Sequence, residues 1–253
     1  MAVLRAMLFY MGVSMALLVV YTPLALIVRP LPYRLRYRIM TSWTHFALWW
    51  LEKTCKLNWR AEGLEHIPQG PAIIMCKHQS AWETMALQLI FPPQIWVTKR
   101  ELLWLPLFGW CLAVLEPIAI DRKTNRLALR RMIEQGAARL KAGRWIVVFP
   151  EGTRVAPGQK RPYAPGGGML AEKTGYPVVP VAHNAGLFWP RHSIIKHSGT
   201  IDLRIGPTIE SKGKTTKDIM AQVESWIETT SDYLLASSTP LNRASKRAAN
   251  GSA

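Results

Sequence analysis

Apolar and polar positions alternate along this chain in three different regimes. Residues 6–28 run without a formal charge and would be apolar on every face of a helix. At 1.5 Å per residue that helix extends about 34 Å, enough to cross a hydrocarbon layer of roughly 30 Å. A cleaved signal peptide is the competing reading. The run is longer than a signal core, however, and no small-x-small cleavage site precedes the basic stretch that follows. A core helix of a soluble domain is disfavoured because no polar face exists. A second uncharged stretch, residues 39–51, carries Trp43, Phe46, Trp49 and Trp50 and is too short to span upright. Its rings favour the headgroup level, so the two segments read as a transmembrane helix followed by an interfacial one, or as a hairpin re-entering one leaflet.

The second regime begins near residue 59. Short apolar runs at 73–76, 95–98, 118–120, 145–149, 178–182 and 201–205 read as strands. Between them, residues 125–141 place Leu129, Met132, Ile133 and Leu140 at helical spacing, and residues 217–235 do the same with Ile219, Val223, Trp226 and Ile227. Strand and helix alternation predicts an α/β fold, a mixed and largely parallel sheet flanked by helices, behind an N-terminal membrane-associated helical segment or hairpin. The third regime, residues 237–253, is small, polar and basic with no apolar period, and is expected to be a disordered tail. The organisation expected is therefore an anchor over 1–58, an α/β domain over 59–236 and the tail.

Charge and composition narrow the partners. Lys and Arg number 32 against 16 acidic residues, a formal net charge of +16. Nucleic acid, an anionic membrane and phosphorylated small molecules all satisfy that charge. The 49% apolar content and 11 Trp favour the membrane and argue against nucleic acid. Arg29, Arg34, Arg36 and Arg38 follow the first apolar run while only Arg5 precedes it, so the positive-inside rule places the α/β body on the cytoplasmic face of the inner membrane, against anionic lipids. Cys55, Cys76 and Cys111 have neither disulfide-framework nor zinc spacing, which suits reduced core thiols.

Two segments carry candidate chemistry. The strand ending near Lys77 leads into HQSAWET at 78–84. Ser80 and Glu83 have the spacing of a helix capping box, which explains both and leaves His78 unexplained. Alternatively Glu83 aligns and charges the His78 imidazole as a dyad, as abstraction of an alcohol proton requires. The strand at 145–149 runs into the turn PEGTR, with Glu151, Gly152, Thr153 and Arg154 at the strand edge where α/β sheets bind ligands. Arg154 offers a fork suited to phosphate, Gly152 a close backbone approach, and Glu151 a partner for Arg154 or for a substrate hydroxyl. An ordinary surface turn with an internal ion pair is the bland alternative. The glycines at 166–168 lack the Lys-Ser/Thr of a phosphate-binding P-loop. No cofactor or metal set is indicated, and no G-x-S-x-G supports a hydrolase. Cys76 sits beside His78, but an apolar strand gives its thiol no means of ionising.

Taken in order, HQSAWE (78–83), KRELLWLPLFG (99–109), FPEGTR (149–154) and VVPVAHN (178–184) resemble the four blocks of the glycerolipid acyltransferases, most nearly the bacterial members that acylate 1-acyl-glycerol-3-phosphate. The resemblance covers roughly residues 60–210. It implies acyl transfer from acyl-CoA or acyl carrier protein to the sn-2 hydroxyl of a lysophosphatidate, with His78 as base and Glu151 and Arg154 binding the acceptor. It also implies a phosphate contact for Lys99 and a donor or structural role for Pro180. One position departs from the family: Glu83 stands where Asp is usual, as in the related acyltransferases of lipid A precursors. A non-enzymatic lipid-binding protein on the same fold is the rival from another class.

Overall fold

The computed structural model describes residues 1–120 and 125–238. The predicted tail lies outside them from Thr239 onward. Its first residue, Ser237, instead closes the last helix.

The apolar N-terminus is one helical run, α1 (Ala2–Ala16), a π-helical turn (Leu17–Tyr21) and α2 (Thr22–Ile27). Ala2–Ile27 is long and apolar enough to cross a membrane, and 11% of its most apolar window is buried inside the protein. After a turn, α3 (Tyr33–Cys55) returns along α1. Sequence reading, at 39–51, started this second segment too late, because the arginines at 34, 36 and 38 looked like a boundary, and stopped it short at Leu51, before Glu52 and Lys53. Tyr37, Met40, Thr44, Leu48, Leu51 and Cys55 line its inner side at helical spacing. The two helices touch at Gly12, where an added Cβ would lie 2.3 Å from Trp50 Nε1, and the Trp50 indole donates to the Leu8 carbonyl at 3.1 Å.

The body is a seven-stranded sheet among the described residues: β1 (Leu57–Glu62), β2 (Ile73–Cys76), β3 (Gln94–Lys99), β4 (Ile118–Ile120), β5 (Trp145–Val148), β6 (Val178–His183) and β7 (Gly199–Ile205). Its order is β1-β7-β6-β2-β5-β3-β4, parallel throughout except between β6 and β7. The expected mixed, largely parallel sheet is present, and β1 begins at Leu57, inside the stretch assigned to the anchor. One face is covered by α3 and α4 (Trp82–Ile90). The other carries α6 (Asn125–Lys141), α7 (Gly166–Thr174) and α8 (Thr216–Ser237). A short α5 (Phe108–Val114) packs on α2. The three central strands, β6, β2 and β5, are buried on both faces, which is why they read as unbroken apolar runs.

Two polar contacts fasten the hairpin to the body. Arg36 of α3 joins Arg139 and Arg144 on the Glu116 carboxylate, the latter two at 2.6 Å. The Lys196 ammonium sits among the rings of Phe9, Tyr10 and Trp189, 3.4 Å from the Tyr10 centroid.

Candidate active site

The sheet order explains why four separate sequence blocks belong together. Strands β6, β2, β5 and β3 are neighbours and all parallel, so their carboxyl ends open on one edge. His183, His78, the turn at 150–154 and Lys99 each follow or end one of these strands. In an open α/β sheet that edge is where ligands bind.

His78 is held on three sides. Its Nδ1 lies 2.8 Å from Glu83 Oε1, and because a carboxylate only accepts, Nδ1 carries the proton. The basic lone pair is therefore on Nε2, which bonds to no protein group among the described residues. The Phe149 ring stacks on the imidazole at 3.9 Å with planes 15° apart. Beneath it, the His78 amide donates to Glu151 Oε2 at 2.7 Å and the His78 carbonyl accepts from the Val155 amide at 2.7 Å. The loop carrying the imidazole and the turn carrying Arg154 are thus one hydrogen-bonded unit.

Glu83 serves as helix cap and as His78 partner at once. Its Oε1 accepts from the amides of Ser80 and Gln79, at 2.8 and 3.0 Å, and from His78 Nδ1. The Ser80 hydroxyl in turn accepts from the Trp82 amide. Burial by itself would raise the Glu83 carboxyl, but the hydrogen bonds from His78 and the Ser80 amide hold it below the usual carboxylate range. His183 is fully buried, and burial pushes its imidazole down. Its Nε2 donates to the Lys77 carbonyl at 2.9 Å and its Nδ1 accepts from the Ala185 amide, the pattern of a neutral ring. With His183 neutral, the hydrogen bonds from His78 and the backbone are what keep Glu83 ionised.

The PEGTR residues separate in space. Glu151 is buried and does not reach Arg154: its oxygens meet the His78 amide and, at 2.8 Å, the Lys77 ammonium. Lys77 is 2% exposed and also touches Glu228 Oε1 of α8 at 2.6 Å, where the Tyr163 hydroxyl converges. Burial raises the Glu151 carboxyl in spite of Lys77. Gly152 has a φ of +68°, a conformation that favours glycine, and a Cβ there would meet open space. Thr153 and Arg154 are half-buried, Lys99 is exposed, and the Arg154 carbonyl accepts from Arg191 Nη1 at 2.8 Å. Pro180 lies buried within β6. Burial, with Glu83 and Glu151 nearby, pushes the Cys76 thiol up and leaves it a core residue.

Lys77, Phe149 and Arg191 were not singled out from sequence. Lys77 had a readable signal, a charge directly after an unbroken apolar strand, which demands a buried counterion.

The general model of the family described as Acyltransferase matches residues 58–184. The chain is 42% identical over 232 residues, 90% of each chain, to a 1-acyl-sn-glycerol-3-phosphate acyltransferase of Pseudomonas aeruginosa. It is 30% identical over 162 residues to the human 1-acyl-sn-glycerol-3-phosphate acyltransferase alpha, covering 63% of this chain and 57% of that one. A crystal structure of the 1-acyl-sn-glycerophosphate (LPA) acyltransferase of Thermotoga maritima superposes with a TM-score of 0.77 at 25% identity, over 93% of this chain and 96% of that one. A shared fold, the ordered blocks at one sheet edge and a near full-length relative together place this chain in the acyltransferase family.

Proposed function

We propose that the protein transfers a fatty acyl group from the thioester of acyl-CoA or acyl carrier protein to the sn-2 hydroxyl of 1-acyl-glycerol-3-phosphate, giving phosphatidate. The observation that carries this reading is the His78 imidazole, protonated at Nδ1 by its bond to Glu83 and open at Nε2, on a loop bonded to the turn that holds Arg154. The Pseudomonas relative, matched along nine-tenths of its length, supports the same acceptor.

In this mechanism Nε2 takes the proton of the acceptor hydroxyl as its oxygen attacks the thioester carbonyl. The tetrahedral adduct then collapses, the C–S bond breaks, and the thiolate leaves with the proton from the imidazolium. Glu83 stays ionised throughout and stabilises the imidazolium. Lys99 and Arg154 bind the acceptor phosphate, Arg154 by two parallel N–H bonds. Gly152 and Thr153 shape the turn, and Glu151 positions the His78 backbone. The apolar N-terminal hairpin holds this edge at the inner membrane, on the cytoplasmic face, where anionic lipids and the acceptor are found.

His78→Ala tests the assignment. Acyl transfer by the purified variant should fall by about 10²–10⁴-fold with membrane binding retained. Transfer at the wild-type rate would exclude His78 as base. A panel of lysolipids with both thioester donors, read by product mass, tests the substrates, and preference for a lysolipid without phosphate would overturn the acceptor.

A further inference from the structure

Residues 102–110 display large apolar side chains that nothing in the site employs. Trp104 is 69% exposed, Leu105 and Trp110 each 47%, and Phe108 38%. The segment is ordered rather than loose. A 3₁₀ turn (Arg100–Trp104) leads into successive backbone bonds: the Phe108 amide to Pro106, Gly109 to Leu105 and Cys111 to Leu107. Leu107 adopts φ +65° and ψ −61°, the centre of a tight γ-turn closed by the Phe108 amide on the Pro106 carbonyl, a rare and strained conformation. At Gly109 a Cβ would lie 2.4 Å from the Leu103 carbonyl oxygen. The backbone therefore accepts strain to keep two indoles and a phenyl ring facing outward.

The inner side of α5 identifies what lies next to them. Cys111 and Val114 pack with Tyr21, Ala25, Val28 and Met40, and the Cys111 thiol donates to the Tyr21 carbonyl at 3.4 Å. Two of these, Tyr21 and Ala25, belong to the run Ala2–Ile27, which Val28 directly follows and whose Leu26 and Ile27 are 59% and 68% exposed on α2. The exposed rings of 102–110 thus belong to a segment whose α5 packs directly on the exposed apolar N-terminal helix. Arg100, exposed, sits at the near end of the segment. Indoles beside a cation match the headgroup level of an anionic leaflet.

We propose that residues 102–110 form a second bilayer contact on the catalytic body, with Trp104, Phe108 and Trp110 seated in the headgroup region of an anionic leaflet and Arg100 against lipid phosphate. The proposal rests on the membrane reading above and extends it. With contacts on both the hairpin and the body, the sheet edge carrying His78 is held at a set tilt to the leaflet.

Nitroxide accessibility in vesicles of phosphatidylcholine with phosphatidylglycerol tests it on the full chain. Labels go onto Trp104→Cys, Trp110→Cys and, as control, Leu127→Cys on α6, which is 48% exposed. The native cysteines are buried. On vesicle binding, positions 104 and 110 should gain exposure to oxygen and lose exposure to a water-soluble nickel chelate severalfold, while position 127 stays water-accessible. Water-like values at 104 and 110 would overturn the proposal, as would insertion of equal depth in vesicles of phosphatidylcholine alone for the role of Arg100. This arm needs no activity, so it fails separately from the substrate assignment. In the second arm, Trp104→Ser/Trp110→Ser should raise the apparent KM for vesicle-borne acceptor on the order of tenfold and leave turnover of a monomeric short-chain acceptor unchanged. Loss on both presentations would place the rings in the reaction itself and refute the bilayer role.

Discussion

Replacing Lys77 with Met keeps most of the apolar stem and removes the ammonium from between two carboxylates. The ammonium is 2% exposed and lies 2.8 Å from Glu151 and 2.6 Å from Glu228. Removing one partner of a buried ion pair costs about 3–5 kcal/mol, since the charge left behind has no solvent. Against a total stability of about 5–15 kcal/mol that is severe without being certain to unfold the chain. In urea, at about 1–3 kcal/mol per molar, the midpoint should fall by roughly 1–5 M, followed by tryptophan fluorescence in detergent. Turnover should fall as well, by up to about 10²-fold, because Glu151 holds the His78 amide.

The pH dependence gives the sharper test. Glu151 already binds its proton more tightly folded than unfolded, and losing Lys77 increases that difference. A carboxyl raised in the folded state weakens stability as pH climbs from the ordinary carboxylate range through the folded value. The Lys77→Met penalty should therefore be full at neutral pH and shrink on acidification, as Glu151 is neutralised. Adding Glu151→Gln to Lys77→Met should recover part of the loss by removing the stranded charge. Equal midpoints for wild type and Lys77→Met, a penalty that grows toward acid, or a double variant no more stable than the single one would refute this account of the network.

Glu83→Gln retains an acceptor for His78 and for the Ser80 amide but loses the charge, so kcat should drop about 10²–10⁴-fold with little change in acceptor KM; unaltered kcat in steady-state assays would reduce Glu83 to a cap. Because Glu83 is held below the usual carboxylate range when folded, its contribution to stability is present above that range and lost as pH falls through its folded value, and urea midpoints of the Gln variant should lack that acid dependence. Arg154→Lys exchanges a planar fork for a point charge and should raise acceptor KM about tenfold more than it alters chain-length preference; an unchanged KM counts against bidentate phosphate binding. Gly152→Ala meets no neighbour but must adopt a φ of +68°, so thermal melts should show a loss of about 1 kcal/mol, and a neutral result would mean the turn relaxes.

What was readable in the sequence followed from burial. The interior strands are apolar on both faces and appear as runs, and α6 and α8 show their inward stripes at helical spacing. β1 escaped because it is an edge strand whose Arg60 and Glu62 alternate with half-buried residues. The glycines at 166–168, which carry no P-loop signal, open α7, and Gly167 and Gly168 are glycine because Met75 and Met220 press within 2.7 Å of where a Cβ would stand. Packing by distant residues leaves no local trace.

The carboxylates of the site show the same limit and also its cause. Sequence proximity suggested that Glu151 served Arg154, three residues on, and set cap against dyad as rival roles for Glu83. In the fold Glu151 faces inward to Lys77 and to the amide of His78, while one oxygen of Glu83 performs both of its roles. The amides of Gln79 and Ser80 that Glu83 caps directly follow His78 in the chain, so fixing the helix start also fixes where the imidazole must point. Glu83, in the first turn of α4, reaches back along the chain to Nδ1 of His78. Cap and catalytic alignment are one contact geometry here, which is why removing charge and removing reach from Glu83 should act differently: the first on turnover, the second on both turnover and the fold of the loop.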